Sequence, residues 1–179
     1  MSLQVFLYGK IPGADEFLRN ADDDFEARAQ WVTLLSEVLP RALLAELGLS
    51  RMLLGSSGGD QFLLVLPQEF RERAASFCDR ASAAVAAYTS GTMRVLCSFT
   101  ENLGDWSDIR KRLLIELGEQ SAHPLATTAD SLTRSVEKPE PRAVLLQRGN
   151  SVRLSDLLPG FEDKESWTLG DDIPFADHA

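Results

Sequence analysis

Apolar positions along this chain recur in two rhythms, one of strand type and one of helix type. Leu3 to Tyr8 is a short apolar run closed by Gly9, and Lys10–Gly13 carries Pro12 and Gly13 and must turn. From Phe25 to Leu47 the apolar residues Trp31, Leu34, Leu35, Val38, Leu39, Leu43 and Leu47 fall at helical spacing. Asp22, Asp23 and Asp24 sit where a helix start favours carboxylates, and Gly48 supplies a stop. Pro40 lies inside this run and is expected to kink or split the helix. Met52–Leu54 and Gln61–Leu66 flank Gly55-Ser56-Ser57-Gly58-Gly59-Asp60, a strand, glycine-rich turn and strand that Pro67 ends. Phe70 to Tyr88 is alanine-rich and helical, with Phe70, Ala74, Phe77, Ala81 and Val85 along one side. Thr92 to Phe99 reads as a strand, and Asp105 to Leu117 as an amphipathic helix with Trp106, Ile109, Leu113 and Leu117 as its stripe.

The order is βαββαβ with a further helix, an α+β, ferredoxin-like pattern of four antiparallel strands with two helices on one face. This unit is assigned to residues 1–119. Residues 120–142 are rich in Ser, Thr, Ala and Pro and read as a linker or long loop. Residues 143–179 read as a small hairpin, Ala143–Leu146 with Ser151–Leu154 around Gly149-Asn150, and an acidic, irregular C-terminal extension. The ending at Ala179 carries no structural stop signal and tilts the expectation toward a truncated product. A fragment, a split subunit and a stand-alone relative all remain open.

Composition narrows the function classes. The chain has 179 residues, 44% hydrophobic, enough to form a core. Its formal net charge of −9 repels a phosphate backbone at long range and argues against nucleic-acid binding through bulk electrostatics. Cys78 and Cys97, one in a helix and one in a strand, read as buried thiols of a reducing compartment. No stretch approaches the ~18 apolar residues of a membrane span, and the N-terminus lacks a signal-peptide pattern, so a cytoplasmic location is expected. Trp31, Trp106 and the phenylalanines are expected in the core, and Arg110-Lys111-Arg112 on a solvated helix face. His123 and His178 read as surface residues rather than ligands.

The sharpest chemical feature is Ser57-Gly58-Gly59-Asp60-Gln61-Phe62. Gly-Gly-Asp is by itself a favourable hairpin turn. In palm-type nucleotidyl cyclases and polymerases of the GGDEF-like kind, such a hairpin holds an acidic residue at its tip. With a second carboxylate at the end of the first strand it binds two magnesium ions that activate a 3′-hydroxyl for attack on an α-phosphate.

Most of residues 3–118 resembles one such family. Val5-Phe6-Leu7-Tyr8-Gly9-Lys10-Ile11-Pro12-Gly13 with Phe17 is similar to the first strand and turn of the first palm in the large subunit of type III CRISPR effector complexes. Arg28-Ala29-Gln30-Trp31, Leu34-Leu35-Ser36-Glu37 and Glu46-Leu47-Gly48-Leu49 resemble its following helix, and Leu53–Gly59 with Phe62–Pro67 its hairpin. Gly104-Asp105-Trp106-Ser107 with Arg110 and Leu113 resembles the helix after the fourth strand, and Leu169-Gly170-Asp171-Asp172-Ile173-Pro174 with Ala176 the approach to the next domain. The resemblance implies a component of an RNA-guided antiviral complex in which paired palms make cyclic oligoadenylate from ATP. It implies ATP and magnesium as ligands, and a second palm or other subunits of a ribonucleoprotein complex as partners. Ser57, Gly58, Gly59 and Asp60 become the nucleotide-binding candidates.

The departures are as informative. Lys10 stands where the first-strand acid belongs, and a cation there repels magnesium. Gln61 stands where active hairpins carry a second acid. Asp60 is then the obvious metal ligand left, with Asp15 the nearest substitute in sequence. The reading is a degenerate palm acting as a nucleotide-pocket or scaffold element, leaning away from catalysis alone. A stand-alone nucleotidyl cyclase with a metal site rebuilt from Asp60 and Asp15 is the first alternative. The second is an accessory or adaptor protein of type VI secretion, whose opening Tyr8-Gly9-Lys10-Ile11-Pro12, Phe17 and Trp31 resemble over roughly the first thirty residues.

Overall fold

The computed structural model describes residues 3–20, 24–122, 147–162 and 164–174. Strand β1, Gln4–Lys10, alternates buried and outward positions along its whole length, as a strand with a core on one face must. A short helix α1, Ala14–Arg19, and a long helix α2, Phe25–Leu47, follow. A 3₁₀ turn over Arg51–Leu53 leads into β2, Leu54–Gly58, and the hairpin returns as β3, Gln61–Pro67. Helix α3, Arg71–Tyr88, strand β4, Leu96–Glu101, and helix α4, Trp106–Ala122, complete the main unit. The sheet order is β2-β3-β1-β4 with every pair antiparallel, the ferredoxin-like arrangement that βαββαβ predicts.

One face of the sheet meets α2 and α3. Val5, Leu7, Phe62, Leu64 and Leu66 from the strands pack with Leu35, Val38, Leu39, Leu43, Phe77 and Ala81 from the helices. Gly9 belongs to this face. A methyl group there would lie 2.1 Å from the ring of Phe62, so only glycine lets the neighbouring strand bring that ring across β1. Cys78 and Cys97 are buried free thiols. A hydrogen bond with Cys78, reinforced by burial, pushes the Cys97 thiol well above its ordinary pKa.

Helix α4 lies along the other side of the sheet and seals the edge at β4. Glu116 accepts the outward Phe99 N–H at 3.0 Å, and Gln120 donates to the Cys97 carbonyl at 2.8 Å. Two of the backbone groups that an edge strand would leave open are thereby used.

Several expectations are corrected in detail. Helix α2 runs through Pro40, which is buried in the core rather than at a break. Residues 92–95 do not join β4. The Thr89 hydroxyl takes the Met93 N–H at 3.0 Å and Ser82 takes the Val95 N–H at 3.2 Å, so those donors are lost to the ladder. Met52 belongs to the 3₁₀ turn and is exposed. Trp106, the first residue of α4, is 50% exposed instead of central to the core, with its ring tilted on Phe6 at 5.5 Å. Trp31 is buried as expected, stacked on Tyr88 at 4.6 Å.

The described part of the C-terminal segment packs onto the same core. Ser151–Val152 forms β5 and pairs with β6, Trp167–Thr168. The expected hairpin partner 143–146 lies outside the described residues, as do His123 and His178. Leu154–Leu157 forms a one-turn helix, α5, in place of the expected strand end. Trp31 donates its indole N–H to the Leu157 carbonyl at 3.0 Å, and Phe161 meets Phe77 edge-on at 5.5 Å. Asp172 accepts the Thr168 N–H at 3.0 Å and the Arg51 guanidinium at 2.8 Å. The Thr168 hydrogen bond, with Arg51, holds its carboxyl below the usual carboxylate pKa.

Two outcomes follow. Gly9→Ala forces the Phe62 ring aside and should lower stability by ~1–3 kcal/mol in urea unfolding, with partial recovery when combined with Phe62→Leu. An unchanged midpoint for Gly9→Ala would show that the ring contact is not tight. Asp172 has a depressed folded-state pKa, so its contribution exists above the unfolded value of about 3.9 and fades as pH falls through the folded one. Asp172→Asn should therefore lower the urea midpoint at neutral pH, and the gap to the parent should close as the pH falls below about 4. A gap that widens on acidification would refute the linkage.

Candidate functional site

Seven consecutive antiparallel pairs join β1 to β3, ending at Lys10 opposite Gln61. The β2–β3 hairpin closes with Gly58 opposite Gln61, leaving Gly59 and Asp60 at the tip. Gly59 has φ of 64°, the left-handed conformation such a two-residue connection demands. The Asp60 carbonyl accepts the Ile11 N–H at 2.7 Å, which locks the tip to the end of β1. Across this junction the Lys10 ammonium lies 3.7 Å from the Asp60 carboxylate. The two side chains are 46% and 45% exposed, so the pair contributes little stability, of order 0–1 kcal/mol, but it sets a positive charge beside one carboxylate oxygen of Asp60.

Beside the tip is a groove of about 250 Å³. Gly59 and Asp60 form one wall, Ile11 and Ala14 another, and Thr33, Ser36 and Glu37 of α2 a third. Glu37 is mostly buried and held by two donors, the Ser57 hydroxyl at 3.0 Å and the Arg41 guanidinium at 2.7 Å. Ser57 is thus a support that joins the hairpin to α2. On the opposite sheet face, Tyr8 donates its hydroxyl to the Gln61 side chain.

The sequence candidates are gathered unequally. Ser57, Gly58, Gly59 and Asp60 share the hairpin, and Gly59 and Asp60 reach the groove. Asp15 is an exposed residue of α1, outside the groove lining. Among the described residues no group of three or more His, Cys, Asp or Glu could hold a metal ion. Lys10 against Asp60, and Gln61 tied to Tyr8, do not make the donor set that paired magnesium ions require. Helical spacing alone places Glu37 on α2 and does not mark it as a site residue. Thr33, Ser36 and Glu37 interrupt the apolar pattern of α2 on one side, a signal that a polar surface faces inward there.

The hairpin and groove sit on a fold that recurs in solved structures. A crystal structure of a Csm1–Csm4 cassette in complex with pppApApA superposes with a TM-score of 0.65 at 14% identity, over 73% of this chain and 20% of that one. Csm1 from T. onnurineus superposes at 0.59 and 16% identity, over 66% of this chain and 19% of that one. The chain has the Csm1-like palm fold. A Csm1–Csm4 cassette in complex with cA3 matches at 0.61 and 15% identity. The chain spans about a fifth of the length of these Csm1 chains. No family model matches it, and no curated protein matches it significantly.

Replacing Lys10 by aspartate removes the opposing cation and sets a second carboxylate beside Asp60. Lys10→Asp should bind Mn²⁺ at least about tenfold more tightly than the parent in titrations followed by electron paramagnetic resonance. Adding Asp60→Asn should abolish the gain. Equal Mn²⁺ affinity in parent and Lys10→Asp would show that Lys10 does not oppose a cation at Asp60.

Proposed function

We propose that this chain is a degenerate palm of the first-palm type from a type III CRISPR large-subunit-like protein, serving as a nucleotide-pocket and scaffold element rather than as a catalyst by itself. The observation that carries the reading is the Lys10–Asp60 pair at the tip of a palm hairpin. The fold keeps the tip, its glycines and the adjoining groove, while the position facing the tip carries a cation. A nucleotide entering the groove would meet the Thr33 and Ser36 hydroxyls and the Glu37 carboxylate on α2, and the Gly59 backbone at the tip. The Lys10 ammonium offers a positive charge to phosphate oxygens in place of a metal. Its partners on this reading are a second palm or other subunits of an effector complex, in keeping with Csm1 having been crystallised with Csm4. No helix among the described residues is long and apolar enough to cross a membrane, which accords with a cytoplasmic complex.

ATP titrated by calorimetry with and without magnesium, followed by a turnover assay for cyclic and linear oligoadenylates, tests the reading. The expected result is ATP binding that Lys10→Ala weakens about tenfold or more and that magnesium leaves nearly unchanged, with no product. Product formation that requires Asp60 would replace the scaffold with a rebuilt cyclase. An absence of ATP binding under all conditions would leave the secretion-adaptor alternative standing.

A further inference from the structure

The sheet face turned away from α2 and α3 is only partly covered. Helix α4 buries Ile109, Leu113 and Leu117 and leaves Trp106, Leu114 and Ile115 outside, with exposures of 50%, 46% and 53%. Leu103, on the loop that leads into the helix, is exposed as well. Single exposed apolar residues are ordinary, but Trp106, Leu114 and Ile115 border shared hollows and make a patch.

Two hollows border this ridge. One, of about 170 Å³, lies between helix and sheet, lined by Tyr8, Gln61 and Leu63 on the strands and Trp106, Arg110 and Leu114 on α4. The other is a shallow depression of about 390 Å³ over Ser107, Arg110, Lys111, Leu114 and Ile115. Arg110 and Leu114 belong to both, so the hollows form one continuous surface.

Charge selects among occupants. The chain carries a net −9, yet this ridge presents three consecutive cations. Arg112 is engaged, donating to the Glu101 and Leu103 carbonyls at 3.3 and 2.6 Å. Arg110 and Lys111 form no ion pair among the described residues. A two-fold contact between copies would bring these cations toward their own counterparts. Single-stranded nucleic acid binds by stacking its bases on successive aromatic rings, whereas Trp106 is the one aromatic on the helix and its ring is tilted against Phe6 at 5.5 Å. An acidic amphipathic helix meets every feature at once. Its apolar anchors, spaced three and four residues apart, fill the two hollows, and its carboxylates pair with Arg110 and Lys111.

We propose that the α4 ridge, with Trp106, Leu114 and Ile115 as apolar contacts and Arg110 and Lys111 as charge partners, docks an acidic amphipathic helix of a partner protein. The surface lies across the sheet from the groove, and the proposal is independent of any nucleotide.

The probe is a labelled synthetic helix of about 18 residues with a Leu and Phe stripe and glutamates elsewhere, read by fluorescence anisotropy against the full chain. A second peptide carries Lys in place of every Glu. The acidic peptide should bind saturably and at least about tenfold more tightly than the basic one. Arg110→Glu with Lys111→Glu should reverse that preference. Leu114→Ser with Ile115→Ser should weaken both peptides while leaving the melting temperature and far-ultraviolet circular dichroism unchanged, since both side chains are exposed. Equal affinity for the two peptides, or indifference to the serine substitutions, overturns the proposal. So does an oligoadenylate RNA bound through these residues in preference to the acidic peptide, or a dimer that the serine substitutions dissolve.

Discussion

The pairing of β1 with β3 governs what this molecule can be. Seven residues on each strand are matched without a slip, from Gln4 opposite Pro67 to Lys10 opposite Gln61. A slip of one residue would turn either Val5 and Leu7, or Phe62, Leu64 and Leu66, out of the core, so the register is held by the hydrophobic effect along its whole length. Its far end has no freedom left. Lys10 must arrive beside the hairpin tip, and the Ile11–Asp60 backbone hydrogen bond completes the junction. The chemistry at the tip is therefore decided by which residue occupies the last position of a strand that is fixed for other reasons.

Much of this was legible from spacing. The strand type of Leu3–Tyr8, the helix over Phe25–Leu47, the glycine hairpin and the helix to Tyr88 each carry a strong period or a turn signal, and each is present. The failures have local causes. A proline inside a helix removes one hydrogen bond, but Pro40 lies in a buried stripe whose packing holds α2 together across it. Residues 92–95 have strand-like composition, yet side-chain hydroxyls intercept their donors. The C-terminal segment uses two-residue strands and a one-turn helix, too short to show any period. Its attachment comes from distant partners such as Trp31 and Arg51, which a linear reading does not bring together.

The candidate site divides in the same way. Ser57 to Asp60 are adjacent in sequence and could be found as a motif. Glu37 lies twenty positions away on a helix and enters the site only because Ser57 and Arg41 turn its carboxylate toward the hairpin. Lys10 could be identified by comparison with an expected acid, but its distance from Asp60 required the folded register. The fold shared with Csm1 structures places these residues on a palm, and at 14–16% identity the side chains at the tip are this chain's own.

The sealed margin at β4 has a consequence for how the protein behaves in crowded surroundings. With Glu116 on the Phe99 amide and Gln120 on the Cys97 carbonyl, a stray strand from another molecule finds that template interrupted at its middle. The opposite margin, β2, is irregular where its pairing skips at Gly55, which frustrates straight, repeated stacking. A sheet guarded at one side and roughened at the other resists open-ended fibre growth, leaving its faces, rather than its margins, as the surfaces through which it can meet other chains.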